Sequence, residues 1–361
     1  MKRESADYLR NIYETIARTL GATDEEARIF AGSFVQADLF GKDTQGIACI
    51  PLLYPWFRSG AIQFGTILEV EKEGPSYALV NGNRGPGQVV ATKSMEIAIE
   101  KAKNATVGLV WVKNSNDFTM ASSYATMALE HDFIGLAMSN GVPLVSTWGG
   151  RDPVFNTNPL AFAIPAARAK PLIFDGAMSS VSHGQVVRAA RDQVPLPDSP
   201  LVDPEGRRTD DPVHLIVDPS DRGSVQLGAI LPLGPKGLGW LIFVDVLAGI
   251  LSGGTTSKGI AFHPKLEEPW NGGFFLMAIN VGNLQPIDDF KAKIDGLIEN
   301  MKCSRKSQGF EEIFVPGERA QIEYERRTRE GVPVREEHWD QVKKICTELG
   351  IEVERLRCDS K

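Results

Sequence analysis

Five histidines, four cysteines and a few glycine-rich turns are the places in this 361-residue chain where catalysis or ligand binding could be built. The histidines, His131, His183, His214, His263 and His338, are scattered, and none has the HExxH or HxH spacing that lets two imidazoles share a metal. The pattern argues against a metal site. His183 follows the small residues Ser179-Ser180-Val181-Ser182 at the expected end of a strand, and reads either as a site residue or as a satisfied loop histidine. Cys49, Cys303, Cys346 and Cys358 lack CxxC spacing, so they read as reduced thiols rather than as a disulfide framework or zinc knuckle.

A Rossmann cofactor site needs Gly-x-Gly-x-x-Gly between a strand and a helix, because the glycines let backbone amides approach a pyrophosphate. Gly85-Pro86-Gly87 lacks the third glycine, and Gly234-Pro235-Lys236-Gly237-Leu238-Gly239 has the spacing reversed. Gly253-Gly254-Thr255-Thr256-Ser257-Lys258-Gly259 is no Walker loop, its lysine being neither preceded by glycine nor followed by Ser or Thr. A nucleotide would have to bind by another route. Lys236, in a glycine-rich turn, either presents a cation to a phosphate or stands in solvent.

The elements that must position such residues are legible in the periodicity. Tyr8, Leu9, Ile12, Ile16 and Leu20 share a helical face between Ser5 and Gly21, and Thr23-Asp24-Glu25-Glu26 has the form of a capping box for a second helix. Gly41 to Gly46 breaks the apolar face and predicts an exposed loop. Ile67 to Glu73 and Ser76 to Val80 form a hairpin across Gly74-Pro75. A helix over 88–103, a strand over 107–112, a helix over about 119–131 and a strand over 133–138 predict an α/β layer. Short strands follow at Ala161 to Ile164 and Pro171 to Asp175, then a helix over 241–251, a strand over 274–281 and a helix over 288–301. Residues 191–225, rich in Pro, Asp and Arg, predict a long loop, either a solvent-exposed insertion or a lid or subunit contact. A last helical stretch over about 317–350 is expected to pack with the N-terminal helices as one discontinuous unit. The expected division is 1–70 with 285–361 as a helical domain and 71–284 as a mixed α/β domain.

With 42% hydrophobic residues the chain can bury a large core. Its net charge of -7 and lack of long basic runs argue against nucleic acid as a partner. The polar N-terminal segment and the absence of any uncharged apolar stretch of membrane-spanning length predict a cytoplasmic protein without a membrane partner.

Eight passages in order resemble the malate/L-lactate dehydrogenase family of NAD(P)-dependent oxidoreductases, which also holds ureidoglycolate, sulfolactate and diketogulonate enzymes and cyclic imino-acid reductases. They are Ala37-Asp38-Leu39 through Gly46, Gly87-Gln88, Asn114-Ser115-Asn116, Trp148-Gly149-Gly150, Asn156 to Ala161, Phe174 to Ser179, Gly234 to Gly237, and Val315 to Glu318. The resemblance spans essentially the whole chain. It implies a non-Rossmann mixed-sheet domain that binds NAD or NADP, a discontinuous helical domain, and a homodimer with the active site between domains near the subunit boundary. By motif, Leu172, Ile173, Phe174, Asp175, Gly176, Ala177, Pro235, Lys236, Gly317, Glu318 and Arg319 would border the cofactor, with Asn158 and Pro159 close by.

The departures bear on chemistry. Where the family usually carries Asp-Ser-His-Gly, with the histidine as proton donor, this chain has Asp43-Thr44-Gln45-Gly46. Glutamine hydrogen-bonds a carbonyl but delivers no proton at neutral pH. The arginine that would grip a substrate carboxylate is replaced by Cys49, and the histidine expected after Asn-Ser-Asn is Asp117. Loss of the cation and gain of an aspartate make a 2-oxo acid a poor fit.

These replacements point to a reductase of imines or less anionic carbonyls, in which Thr44 and Gln45 hold the reacting atom and Asp117 relays a proton. Cys49, Asn116 and His183 would then face the substrate. Asp117 reads equally as a helix cap before Phe118. The alternatives are a lyase, isomerase or cyclase recruited from the same fold, or a silent binding subunit.

Overall fold

The computed structural model describes residues 2–216, 228–260 and 270–357. His263, Cys358 and residues 217–225 of the long loop lie outside the described residues.

Strand β1 (Lys2–Glu4) leads into α1 (Ala6–Thr19), whose N-cap Ser5 accepts from Tyr8 N–H, and α2 (Asp24–Leu39) opens on the Thr23/Glu26 capping box. After α3 (Cys49–Ser59) come the hairpin β2 (Glu69–Gly74) and β3 (Tyr77–Asn81), α4 (Gly87–Ala105) and β4 (Val107–Ser115). Next are α5 (Ala121–Ala125), β5 (Ile134–Ser139), β6 (Val145–Ser146), β7 (Pro153–Phe155), β8 (Leu160–Ile164) and β9 (Leu172–Gly176). Then follow α6 (His183–Asp192), β10 (Leu201–Val202), β11 (Arg208–Thr209), β12 (Ala229–Ile230), α7 (Gly234–Val244) and β13 (Gly272–Ile279). The chain closes with α8 (Ile287–Lys302), α9 (Glu318–Glu330), β14 (Val332–Val334) and α10 (Glu336–Glu348).

Among the described residues the main sheet has seven strands in the order β2-β3-β4-β13-β5-β8-β9, and a smaller five-stranded sheet has the order β11-β10-β12-β6-β7. Within the main sheet β3 and β4 pair in parallel, and the other neighbours are antiparallel. The fold is therefore mixed α/β. Alternation along β13 divides its side chains between two layers: Phe274, Leu276 and Ala278 face α4 and α5, while Phe275 faces Leu241 and Val244 of α7 and the smaller sheet. A third core joins α1, α2 and α3 to Val332, Val334, Trp339, Val342 and Ile345, so the two ends of the chain share one helical layer. Helix α8 lies apart from that layer, where its buried Asp295 accepts backbone N–H groups of Ala167, Arg168 and Ala169.

The structure departs from the sequence reading at several elements. The expected 317–350 helix is broken by β14, which pairs antiparallel with β1; Gly331, at φ 85°, stops α9, and Val332-Pro333-Val334 cannot continue it. The helix expected over 119–131 shrinks to α5 plus a 3-10 turn over Thr126–His131. The helix expected at 241 begins at Gly234 and widens into a π turn over Asp245–Ile250, where the Asp245 carboxylate accepts from Ser257 N–H and hydroxyl. Residues 191–216 hold the end of α6, two short strands and a 3-10 turn rather than loop alone. Among the described residues Cys49, Cys303 and Cys346 are not joined in disulfides.

Candidate active site

The loop after α2 is strapped from both sides. Asp38, with no exposed surface, accepts Ile47 N–H at 3.0 Å on Oδ1 and the Tyr13 hydroxyl at 3.1 Å on Oδ2. A side chain at Gly46 would run into that carboxylate, so only glycine lets the loop pass. From α9, Arg327 donates to the Asp38 carbonyl at 2.8 Å and forms an ion pair with Asp43. The segment expected as an exposed loop is thus half-buried, and its Gln45 turns inward to donate from Nε2 to Thr119 O at 3.1 Å. Cys49, at the first turn of α3, directs its thiol to Thr44 O at 3.1 Å. Burial pushes the Asp38 carboxyl up to about 7, and Asp43 adds to the rise, against the Ile47 and Tyr13 hydrogen bonds and Arg327.

Asp117 is placed from α4 and the end of β4. The buried Asn116 amide accepts Gly87 N–H at 2.8 Å and donates to Gly85 O at 2.6 Å, while Gln88 donates to Asp117 O at 3.0 Å. Asn116 therefore does not line the cavity as a substrate contact; its side chain is occupied in holding the turn at Gly85–Gly87. Asp117 Oδ1 accepts Thr119 N–H at 2.6 Å, which holds Thr119 at φ 65°. Asp117 is not the helix cap read from the sequence, because α5 begins at Ala121 with Met120 at its N-cap and no side-chain cap; it closes a local turn onto Thr119 and faces the cavity as well.

That cavity, about 610 Å³, lies between the helical layer and the end of β9. Thr44, Gln45, Cys49, Asp117 and His183 all line it, together with Pro159, Asp175, Gly176 and Ala177. Trp56 and Trp270 line it too, their ring centroids 5.2 Å apart. Asp175 Oδ2 accepts Ser122 N–H at 3.1 Å and its hydroxyl at 2.7 Å. His183 begins α6 under the Ser182/Gln185 capping box, and a side chain at Gly184 would come within 2.5 Å of Thr44 Oγ1, so α6 is seated directly on the loop.

The remaining residues of the expected cofactor border are arranged along β9 rather than in the cavity. Ile173 N–H donates to Pro316 O at 3.2 Å, and Gly317 sits against Ile173, which brings Glu318 and Arg319 beside Leu172–Phe174. At the other end Leu233 N–H donates to Met178 O at 3.0 Å, setting Pro235 and the exposed Lys236 in the first turn of α7 next to Ala177. Asn158 is fully buried, donating to Leu241 O at 2.7 Å. It fixes α7 to the sheet and does not reach the cavity. The polar set along β9 fits a nicotinamide dinucleotide: backbone at Asp175–Ala177 in the cavity, and a cation at a helix N-terminus beyond it.

Sequence reasoning missed Lys42, Arg191, Gln341 and the Ser139–Val142 turn on the cavity wall, and left His338 among the scattered histidines. Arg191 and Gln341 sit in ordinary amphipathic helices, where nothing in the spacing marks them.

A solved malate dehydrogenase from Pyrococcus horikoshii OT3 matches this fold with a TM-score of 0.87 at 34% identity, over 97% of this chain and 96% of that one. A sulfolactate dehydrogenase from Methanocaldococcus jannaschii matches with a TM-score of 0.89 at 31% identity, over 98% and 99%. The layers are therefore those of a mixed α/β dehydrogenase fold. The family model described as malate/L-lactate dehydrogenase matches residues 5–343, and the chain belongs to that family of oxidoreductases. Among curated relatives, the malate dehydrogenase of Pyrococcus horikoshii is 36% identical over 97% of this chain and 96% of its own length. The Delta(1)-pyrroline-2-carboxylate/Delta(1)-piperideine-2-carboxylate reductase of Pseudomonas putida is 28% identical over 93% and 95%.

Proposed function

We propose that this chain is an NAD(P)-dependent reductase of a cyclic imine, or of a carbonyl that carries no carboxylate on the reacting carbon. The observation that carries the reading is the convergence of Gln45, Cys49 and Asp117 on one cavity with Asp175, Gly176 and Ala177. When bound, the nicotinamide supplies a hydride. Gln45 keeps one amide hydrogen on Thr119 O and has a second for a reacting carbonyl oxygen, while its Oε1 is the atom that would accept from an iminium N–H, with Thr44 beside it. Neither glutamine nor threonine delivers a proton at neutral pH, which favours a substrate that arrives protonated. An iminium meets that condition, and the Asp117 carboxylate facing it stabilises the positive charge and exchanges its proton. Cys49 puts a small, uncharged group where a clamp on an adjacent carboxylate would be needed, and His183 closes the wall from α6. Family membership supports an oxidoreductase over the lyase, isomerase, cyclase or silent-subunit alternatives, and the likeness to the Pseudomonas putida reductase supports imine reduction.

The active form in this reading is a homodimer. Its support is an exposed apolar face on α7 and the turn after it, with Trp240, Phe243 and Ile250 each about half exposed.

Titration with NADH and NADPH, followed by tryptophan fluorescence, uses Trp56 and Trp270 on the cavity wall as reporters. The expected result is saturable quenching by one of the two, and nicotinamide oxidation with cyclic imines well above that with 2-oxo acids. Absence of binding by either nucleotide contradicts the proposal.

A further inference from the structure

An apolar wall of the cavity continues well past the point where Gln45 would hold the reacting atom. Helix α3 starts at Cys49, whose thiol reaches Thr44 O, and Trp56 stands seven residues further on, roughly 10 Å along the axis. The residues that α3 gives to the wall are Cys49, Pro51, Leu52, Pro55 and Trp56, none of them charged. Lys42 and Arg191 reach the cavity from the loop before α3 and from α6. Ile50 and Leu53 turn into the helical core, whereas Leu52 packs into none of the cores of the described residues and lines the cavity instead. Trp270 joins Trp56 on the wall. Partly buried, it packs against both the helical core and the core shared by α7 and the smaller sheet, its ring tilted by 52° to that of Trp56.

Apolar surface left unpacked inside a chamber gains free energy from any apolar group that covers it, in proportion to the area removed from water. Indole rings add an attraction for other rings and for cations held over their faces. With the reacting nitrogen held by Gln45 and Asp117, a lone small ring does not reach as far as Trp56. We infer that the wall from Leu52 to Trp56 and Trp270 is a subsite for an aryl or fused carbocyclic group of the substrate, which is then a cyclic imine extended by a second, aromatic ring. The imine rests on the reductase reading; the ring subsite rests on the wall alone.

Calorimetric titration of the full chain with 2-methylpyrrolidine and 2-phenylpyrrolidine, the amine products of the matching imines, tests the subsite without turnover. Each is run with and without saturating oxidised nucleotide. The phenyl compound is expected to bind tighter than the methyl compound by about tenfold or more with nucleotide present, as the burial of a phenyl ring implies. Trp270→Leu is expected to shrink that ratio severalfold while affinity for 2-methylpyrrolidine stays at the wild-type value. An indole that merely supports the fold would weaken both amines alike. Leu52→Asn, at a side chain outside the cores, is expected to act in the same direction without altering a packed tryptophan. In steady-state kinetics the same preference appears as a lower KM for 2-phenyl-1-pyrroline than for 2-methyl-1-pyrroline. The inference is overturned if neither amine binds, if the two bind equally, or if both variants keep the wild-type ratio. It is also overturned if nucleotide displaces 2-phenylpyrrolidine, which would give the wall to the cofactor. Phenyl preference in binding with no reduction of either imine defeats the reductase reading and leaves the subsite standing; reduction of both imines without that preference does the reverse.

Discussion

Asp38 shows at the scale of one residue how the site is held. Its carboxyl is pushed up to about 7 by burial, against an ordinary 3.8 in the unfolded chain. Between those values the folded protein keeps a proton that the unfolded chain has lost, so stability falls as pH rises through the window and levels off above about 7. Asp38→Asn mimics the protonated form at every pH. The unfolding free-energy difference between variant and wild type, measured calorimetrically from pH 5 to 8, should therefore move in the variant's favour by about 1 to 3 kcal/mol as pH rises. A difference that stays flat across that range contradicts the burial account. Residue types foretold part of this site. Gln45, Cys49 and Asp117 were legible because family motifs fix their places, but the strap from Arg327 was not, since it joins positions 284 residues apart with no local signal.

Elements were legible where periodicity is strong and local. The capping box at Thr23, the hairpin across Gly74-Pro75 and the strands through Val107 and Phe274 follow from turn chemistry and alternation. β14 was not legible, because a three-residue strand exists only through its pairing with β1 at the far end of the chain. Helix α6 was equally hidden, lying just beyond the small-residue run that seemed to end a strand, yet it carries both His183 and Arg191. Its seat against Thr44 requires Gly184. Gly184→Ala is expected to lift α6 from the loop and lower imine turnover about tenfold or more, while thermal unfolding shifts by only a few degrees. Turnover equal to wild type in steady-state kinetics would show that the helix does not set the position of Thr44.

For the whole molecule, the three cores of the described residues place the cavity where the helical layer meets the end of β9, so that residues from the loop after α2 and from α3, α6 and α10 reach one chamber. The exposed face of α7 starts beside Ala177, which would put a subunit boundary close to that chamber. Trp240→Glu with Phe243→Glu should convert a particle of twice the chain mass into a monomer by size exclusion with light scattering. A wild type already monomeric at micromolar concentration contradicts the dimer. The central claim, that Asp117 serves the reaction and does more than cap a turn, is tested most directly by Asp117→Asn, which retains an acceptor for Thr119 N–H. Steady-state nicotinamide oxidation with a cyclic imine should fall about 100-fold or more in kcat, with nucleotide affinity and melting temperature close to wild type. Turnover undiminished in that variant would contradict the account.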